Sequence, residues 1–200
     1  MKKKNKILLA VILAFVLLLG GAYVLYHKLS PGTVPDRLAM QDGAQTQESR
    51  EGENREDEAE TALAPDFTVY DRDNNEIHLS DFVGKPVVLN FWASWCGPCQ
   101  SEMPDFDAAY AELGEEIHFL MVNMTTSSRE SFENATTFLD QKGYSFPAFY
   151  DLDGDAAAAY RVYSLPTTYF IDAEGHAVAQ ATGAIDRGTL EKGIGMITQP

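Results

Sequence analysis

Cys96 and Cys99 are the only cysteines in the 200-residue chain, and they stand three positions apart in Trp95-Cys96-Gly97-Pro98-Cys99. An apolar run, Val87-Val88-Leu89-Asn90-Phe91-Trp92-Ala93, comes directly before them and reads as a buried strand. A dithiol that follows a strand and opens a helix is well placed for thiol chemistry. The first amides of a helix lack intrahelical partners and carry partial positive charge, so a thiolate there is stabilised. The Cys96 thiol is therefore expected below the free value of about 8.5. Pro98 suits the first helical turn, where a missing N–H costs nothing. Cys99 falls on the same helix face one turn deeper. This spacing predicts an exposed nucleophile at Cys96 and a buried resolving thiol at Cys99, joined by a short disulfide when oxidised.

Two other uses of a Cys-x-x-Cys pair fit less well. Structural zinc takes four ligands, but there is no second cysteine pair, and His27, His78, His118 and His176 show no ligand spacing. A purely structural bridge over so short a loop would add little stability through chain entropy. Redox exchange is the reading that uses both residues.

The N-terminus reads Met1-Lys2-Lys3-Lys4-Asn5-Lys6, followed by an uncharged apolar stretch from Ile7 to Tyr26. Some twenty such residues suffice to span a bilayer as a helix. Four lysines precede the stretch and Lys28 alone follows it closely, which predicts a cytoplasmic N-terminus and an extracytoplasmic remainder. Residues 1–29 are thus expected to form a short cytoplasmic stub and a single-pass membrane anchor. The competing reading is a cleaved signal peptide ending near Gly20-Gly21-Ala22, although the apolar run continues beyond it. Residues 30–63 are rich in Glu, Gln, Asp, Gly and Arg and poor in large apolar residues, which predicts a disordered acidic tether.

Residues 64–200 have the length of one domain with its own core. They carry 21 Asp and Glu against 7 Lys and Arg, which argues against nucleic acid or anionic lipid as a partner. Phe67–Tyr70 and Ile77–Leu79 flank a turn cluster and read as a hairpin. A strand over 86–93 leads into a helix from Gly97 to about Gly114, with Pro104 expected to interrupt and kink it. A second buried strand covers 117–122. Ser127-Ser128-Arg129-Glu130 has the pattern of a capping box that would open the next helix, and Gly143 would close it. A short strand at 146–150 precedes a small alanine-rich helix capped by Asp153 or Asp155. Asp151-Leu152-Asp153-Gly154-Asp155 also resembles the start of a calcium loop, but Val162 stands where the twelfth-position Glu belongs. Residues 167–171 and 176–181 form a second hairpin, and Asp186 caps a last helix with Leu190, Ile194 and Ile197 on one face. Alternating strands and helices imply an α/β domain, a mixed sheet with helices on both faces. In such sheets chemistry gathers at the carboxyl ends of the strands.

The run Asn90-Phe91-Trp92-Ala93-Ser94-Trp95-Cys96-Gly97-Pro98-Cys99 resembles the thioredoxin superfamily, and Leu165-Pro166-Thr167-Thr168-Tyr169-Phe170-Ile171-Asp172 resembles its second signature. With the N-terminal anchor, the Cys96-x-x-Cys99-x-x-Glu102-x-Pro104 pattern and Pro166-Thr167-Thr168, the resemblance narrows to the TlpA/ResA-like branch of extracytoplasmic thiol–disulfide oxidoreductases. It implies a thioredoxin-like fold with an N-terminal β-hairpin over residues 64–200. It implies that Pro166 is a cis-proline facing the cysteines and that the backbone of Leu165 is turned outward, where a substrate strand could pair with it. Trp95, Gly97 and Pro98 would complete the substrate-binding surface. No cofactor beyond the redox-active Cys96–Cys99 disulfide is implied.

Thioredoxins of the cytoplasm carry a buried Asp six residues before the first cysteine, whereas this chain has Asn90, which cannot take a proton. The resemblance points to Glu102 as the base serving Cys99, against the bland reading of a solvated helix glutamate. The implied mechanism is attack by Cys96 on a disulfide of an exported protein, such as apocytochrome c, and resolution by Cys99. A membrane thiol donor of the CcdA or DsbD type would re-reduce the pair. The Gly97-Pro98 dipeptide matches that of thioredoxin, a reductant at about −270 mV, and favours reduction over oxidation. The protein is expected to be a monomer. A disulfide oxidase or isomerase is the alternative, and a thiol-based copper chaperone a remoter one, with His176 the only nameable extra ligand.

Overall fold

The computed structural model describes residues 38–40 and 62–198. The predicted membrane helix and most of the predicted tether lie outside these residues. Among the described residues no helix is long and apolar enough to cross a membrane.

Eight strands form one mixed sheet: β1 (Leu38–Met40), β2 (Thr68–Tyr70), β3 (Glu76–His78), β4 (Val87–Trp92), β5 (His118–Asn123), β6 (Ala148–Tyr150), β7 (Thr167–Ile171) and β8 (Ala177–Thr182). Their order across the sheet is β1-β8-β7-β4-β5-β6-β2-β3. Strands β4, β5 and β6 are parallel, and β7 runs antiparallel to β4. Four helices accompany them: α1 (Gly97–Leu113), α2 (Phe132–Lys142), α3 (Asp155–Ala159) and α4 (Arg187–Ile197). The predicted N-terminal hairpin is β2–β3, with Thr68 opposite His78.

All six residues of β4 are buried, as a strand covered on both faces requires. Its side chains alternate between two apolar layers. Val88 and Trp92 join Met103 and Phe106 of α1 and Leu190 and Ile194 of α4 on one face. Val87, Leu89 and Phe91 join Phe67, Val69 and Tyr160 on the other. Asn90 shares the parity of Val88 and Trp92, so its polar side chain points toward α1. Helix α4 sits very close to the sheet, because a Cβ on Gly193 would lie 2.2 Å from Cζ of Phe170.

Several local expectations are corrected. Residues 38–40, inside the span read as a tether, form β1 and pair with β8 from Leu38 opposite Ala181 to Met40 opposite Ala179. Helix α1 runs unbroken through Pro104. Proline removes one hydrogen bond, while Met103 and Phe106 beside it are buried and hold the helix on the sheet. Helix α2 is opened by Ser131, whose hydroxyl accepts from the Asn134 amide at 3.1 Å, and not by Ser127. The Ser127–Glu130 pattern forms no box because the Glu130 carboxylate is taken by partners in other elements. Helix α3 is capped by Asp151, which accepts from the amides of Ala156 and Ala157 at 3.2 and 2.9 Å. Asp153 instead accepts from the Tyr70 hydroxyl, and Asp155 from the Thr68 amide. Asp186 caps α4 as predicted, through the Thr189 amide at 2.8 Å.

Candidate active site

Strand β4 ends at Trp92, and four residues later Cys96 becomes the N-cap of α1. The Cys96 amide donates to Ala93 O at 3.1 Å, and Gln100 N donates to Cys96 O at 3.0 Å. These two bonds turn the chain from strand to helix. Pro98 stands in the first turn. Cys96 and Cys99 are joined as a disulfide, and Cys96 Sγ accepts from the Cys99 amide at 3.2 Å. The sulfur thus faces the free amides at the helix end, where negative charge is favoured.

Cys99 is wholly buried, as expected, but Cys96 is only 4% exposed. The predicted exposed nucleophile is therefore largely covered in the oxidised state, its sulfur bound to Cys99 and turned to the helix end. It still lines a surface groove of about 450 Å³ together with Trp95, Gly97, Pro98 and Leu165. The Leu165–Pro166 bond is cis and Pro166 is buried. Four of the five predicted substrate-binding residues thus share one groove, and Pro166 follows Leu165 directly beneath it.

Glu102 is not a solvated helix glutamate. It is 2% exposed. Its Oε1 accepts from Asn90 Nδ2 at 2.9 Å and its Oε2 from the Ile185 amide at 2.9 Å. Asn90 Nδ2 also reaches Thr168 Oγ1 at 3.0 Å. This cluster joins α1, β4, β7 and the loop before α4, and lies on the helix face that carries Cys99 one turn earlier.

A second buried carboxylate was not foreseen from sequence. Glu130 accepts from the Ser94 amide, from Ser94 Oγ at 3.0 Å, from Asn123 Nδ2 at 3.4 Å and from Ser131 N at 3.1 Å. Gln100 Nε2 donates to Ser94 O at 2.6 Å. The residue two before Cys96 is therefore held from both sides. Next to Glu130, the Arg129 guanidinium lies over the Trp95 ring, 3.9 Å from its centroid. Tyr163, 91% exposed, and Arg129 also line the groove. The sequence signal that could have found Glu130 is weak, because Ser-x-x-Glu is satisfied just as well by a local cap. His176 stands at the β7–β8 turn, hydrogen-bonded to Asp172, and not among the groove residues.

The AhpC/TSA family profile matches residues 61–180, which includes the disulfide and the cis-proline. The chain belongs to this thioredoxin-like family. Over 199 residues it is 33% identical to the thiol-disulfide oxidoreductase ResA of Bacillus anthracis, covering 98% of this chain and 99% of that protein. Among solved structures it is similar to a Chlorobium tepidum protein assigned as thiol:disulfide interchange protein DsbE. That match has a TM-score of 0.59 and 31% identity, and spans 67% of this chain and 94% of that one. It is also similar to the exposed lipoprotein thioredoxin Etrx1 of Streptococcus pneumoniae, with a TM-score of 0.55, 35% identity, and 64% and 96% coverage. The chain is a ResA-like thiol–disulfide oxidoreductase. As in this family generally, its redox centre is the cysteine pair itself and not a bound cofactor.

Proposed function

We propose that this oxidoreductase works outside the cytoplasm, anchored by residues 7–26, and reduces disulfides in exported proteins. The observation that carries this reading is the Cys96–Cys99 disulfide at a helix N-terminus, opening on a groove beside the Leu165–Pro166 cis bond. Supporting it are the lysine-flanked apolar N-terminus, the thioredoxin-type Gly97-Pro98 dipeptide and the similarity to ResA over nearly the whole chain. The Cys96 thiolate attacks a client disulfide, forming a mixed disulfide and releasing one client thiolate. Cys99 then attacks Cys96 Sγ, so the Cys96–Cys99 bond forms as the second client thiol leaves. Two electrons pass to the client, and a membrane thiol donor of the CcdA or DsbD type restores the dithiol. The backbone at Leu165 pairs with the client strand. Apocytochrome c is the first client to test, and the working unit is a monomer.

Glu102 is the group to accept the Cys99 proton, directly or through water, since it is the carboxylate on the buried face one turn below that thiol. The pH dependence of mixed-disulfide resolution in wild type and Glu102→Gln tests this, and identical profiles refute it. Direction is tested by equilibrating the full-length protein in detergent against glutathione and dithiothreitol buffers. A potential near that of thioredoxin supports the reductase, whereas one between those of protein disulfide isomerase and DsbA, about −180 to −120 mV, would make the protein an oxidase or isomerase. A Cys99→Ser variant should hold the client as a stable mixed disulfide, and recovery of no exported protein from membranes would refute the client class.

A further inference from the structure

We propose that the groove beside Cys96 selects client segments bearing an Asp or Glu next to the target cysteine, and that Arg129 reads that carboxylate. The proposal deepens the exchange reading and rests on it. It starts from a contrast in charge. The domain carries three acidic residues for each basic one, yet no acidic residue lines the groove around Cys96. Arg129 is the single cation there. Of the domain's other arginines, Arg72 pairs with Asp140 and Arg187 with Glu112 and Glu191, while Arg161 does not line the groove. Arg129 is exposed and stacks on the Trp95 ring, and among the described residues it forms no ion pair.

Stacking leaves the edge of the guanidinium free. A planar guanidinium uses its ring-facing surface for the cation–π contact and keeps its in-plane N–H donors for a carboxylate, which it can meet two bonds at a time. The donor is also preorganised. Glu130, the next residue, is bonded to Ser94, Asn123 and Ser131, so the backbone that presents Arg129 is fixed relative to the nucleophile loop. Trp95 holds the plane of the group and lies directly before Cys96. A carboxylate gripped there belongs to a residue within one or two positions of the client cysteine. Little ordering entropy remains to oppose binding. Exposed Tyr163 and half-buried Leu165 supply the apolar rim for the rest of an extended segment.

The test uses full-length reduced protein in detergent and four probes. Three are symmetric disulfides of capped tripeptides with Asp, Asn or Lys before the cysteine, and the fourth is hydroxyethyl disulfide. Second-order rates are read by mass spectrometry of the quenched mixtures. The Asp probe should react about five- to tenfold faster than the Asn probe, and the Lys probe slower than both. Arg129→Gln should bring the three peptide rates together once each is divided by that variant's rate with hydroxyethyl disulfide, and Arg129→Glu should favour Lys. Equal rates for Asp and Asn in wild type overturn the proposal. So does an Arg129→Gln variant slowed as much with hydroxyethyl disulfide as with the Asp probe, since Arg129 would then tune the thiol and not the client. If wild type fails to react even with hydroxyethyl disulfide, both readings fall, and the fault lies with exchange itself.

Discussion

Removing the Glu130 side chain gives the sharpest measure of how firmly the nucleophile loop is held. Four donors lose their acceptor in Glu130→Ala: Ser94 N, Ser94 Oγ, Asn123 Nδ2 and Ser131 N. The Ser94 hydroxyl can rotate to water, and Ser131 is exposed enough to be hydrated. That leaves the half-buried Ser94 amide and the fully buried Asn123 amide. An unsatisfied buried donor costs about 1–3 kcal/mol. Because the Asn123 bond is long, at 3.4 Å, it belongs at the lower end. The expected loss is about 2–4 kcal/mol, and for a domain of this size that lowers the melting temperature by about 10 °C. Urea denaturation of the oxidised protein, followed by tryptophan fluorescence, reads it directly. The slope with denaturant should not change, since the same surface is exposed on unfolding. A variant within about 1 kcal/mol of wild type would mean that these bonds are replaced by water at no net cost, and the clamp would be ornamental.

Gly193→Ala should destabilise by at least about 1–3 kcal/mol, because the added methyl meets the Phe170 ring in the core and alanine's better helix propensity cannot offset that; a urea midpoint at or above wild type refutes it. Burial pushes the Asp151 carboxyl above the usual carboxylate range, against the lowering pull of the Ala157 and Ala156 amides. Ionising it therefore opposes folding, so its contribution is greatest below about pH 4 and shrinks as pH rises through the raised folded value. Stability curves of wild type and Asp151→Asn should converge in slope only outside that window. Burial first, and Lys85 second, hold His118 below its ordinary value. The unfolded chain then takes up the proton before the folded one. Stability present above about pH 6.5 is lost as pH falls through the depressed value, and His118→Gln should flatten that decline between pH 7.5 and 5.5.

The parts of the site that lie within a few residues of each other were legible in the sequence. Two cysteines at a helix start, an apolar strand before them and a proline in the first turn define the dithiol without any tertiary information. Asp186 was readable as a cap because its acceptor and the Thr189 amide are three residues apart. Asp151 was not, because it caps a helix that starts four residues later, across a glycine turn. Glu130 shows the limit most plainly. Its local pattern is that of a capping box, but Ser94 and Asn123 alone offer a buried acceptor three donors, more than the two a box supplies. Those donors come from a loop 36 residues away and from the end of β5. Strand β1 was unreadable for a different reason: three residues pairing at an edge are held through backbone, which composition does not record.

Glu102 and Glu130 resemble each other in construction, yet the geometry gives them separable work. Each takes an amide from a buried asparagine on a parallel strand, Asn90 of β4 and Asn123 of β5, and each adds a backbone N–H from a loop. Glu130 is tied to the chain before Cys96 and stands beside Arg129 in sequence, so it acts on where the nucleophile loop and its arginine sit. Glu102 is tied beneath the helix, one turn below Cys99 on the same face, the position from which we propose that it takes the Cys99 proton. If this division is right, perturbations do not cross. Glu102→Gln alters the pH profile of resolution and leaves the preference among Asp, Asn and Lys peptides intact. Arg129→Gln erases that preference and leaves the pH profile of resolution intact. A Glu102→Gln variant that lost peptide preference, or an Arg129→Gln variant with a displaced pH profile, would show that proton handling and client reading share one electrostatic network, and the separate roles drawn from these two carboxylates would have to be given up.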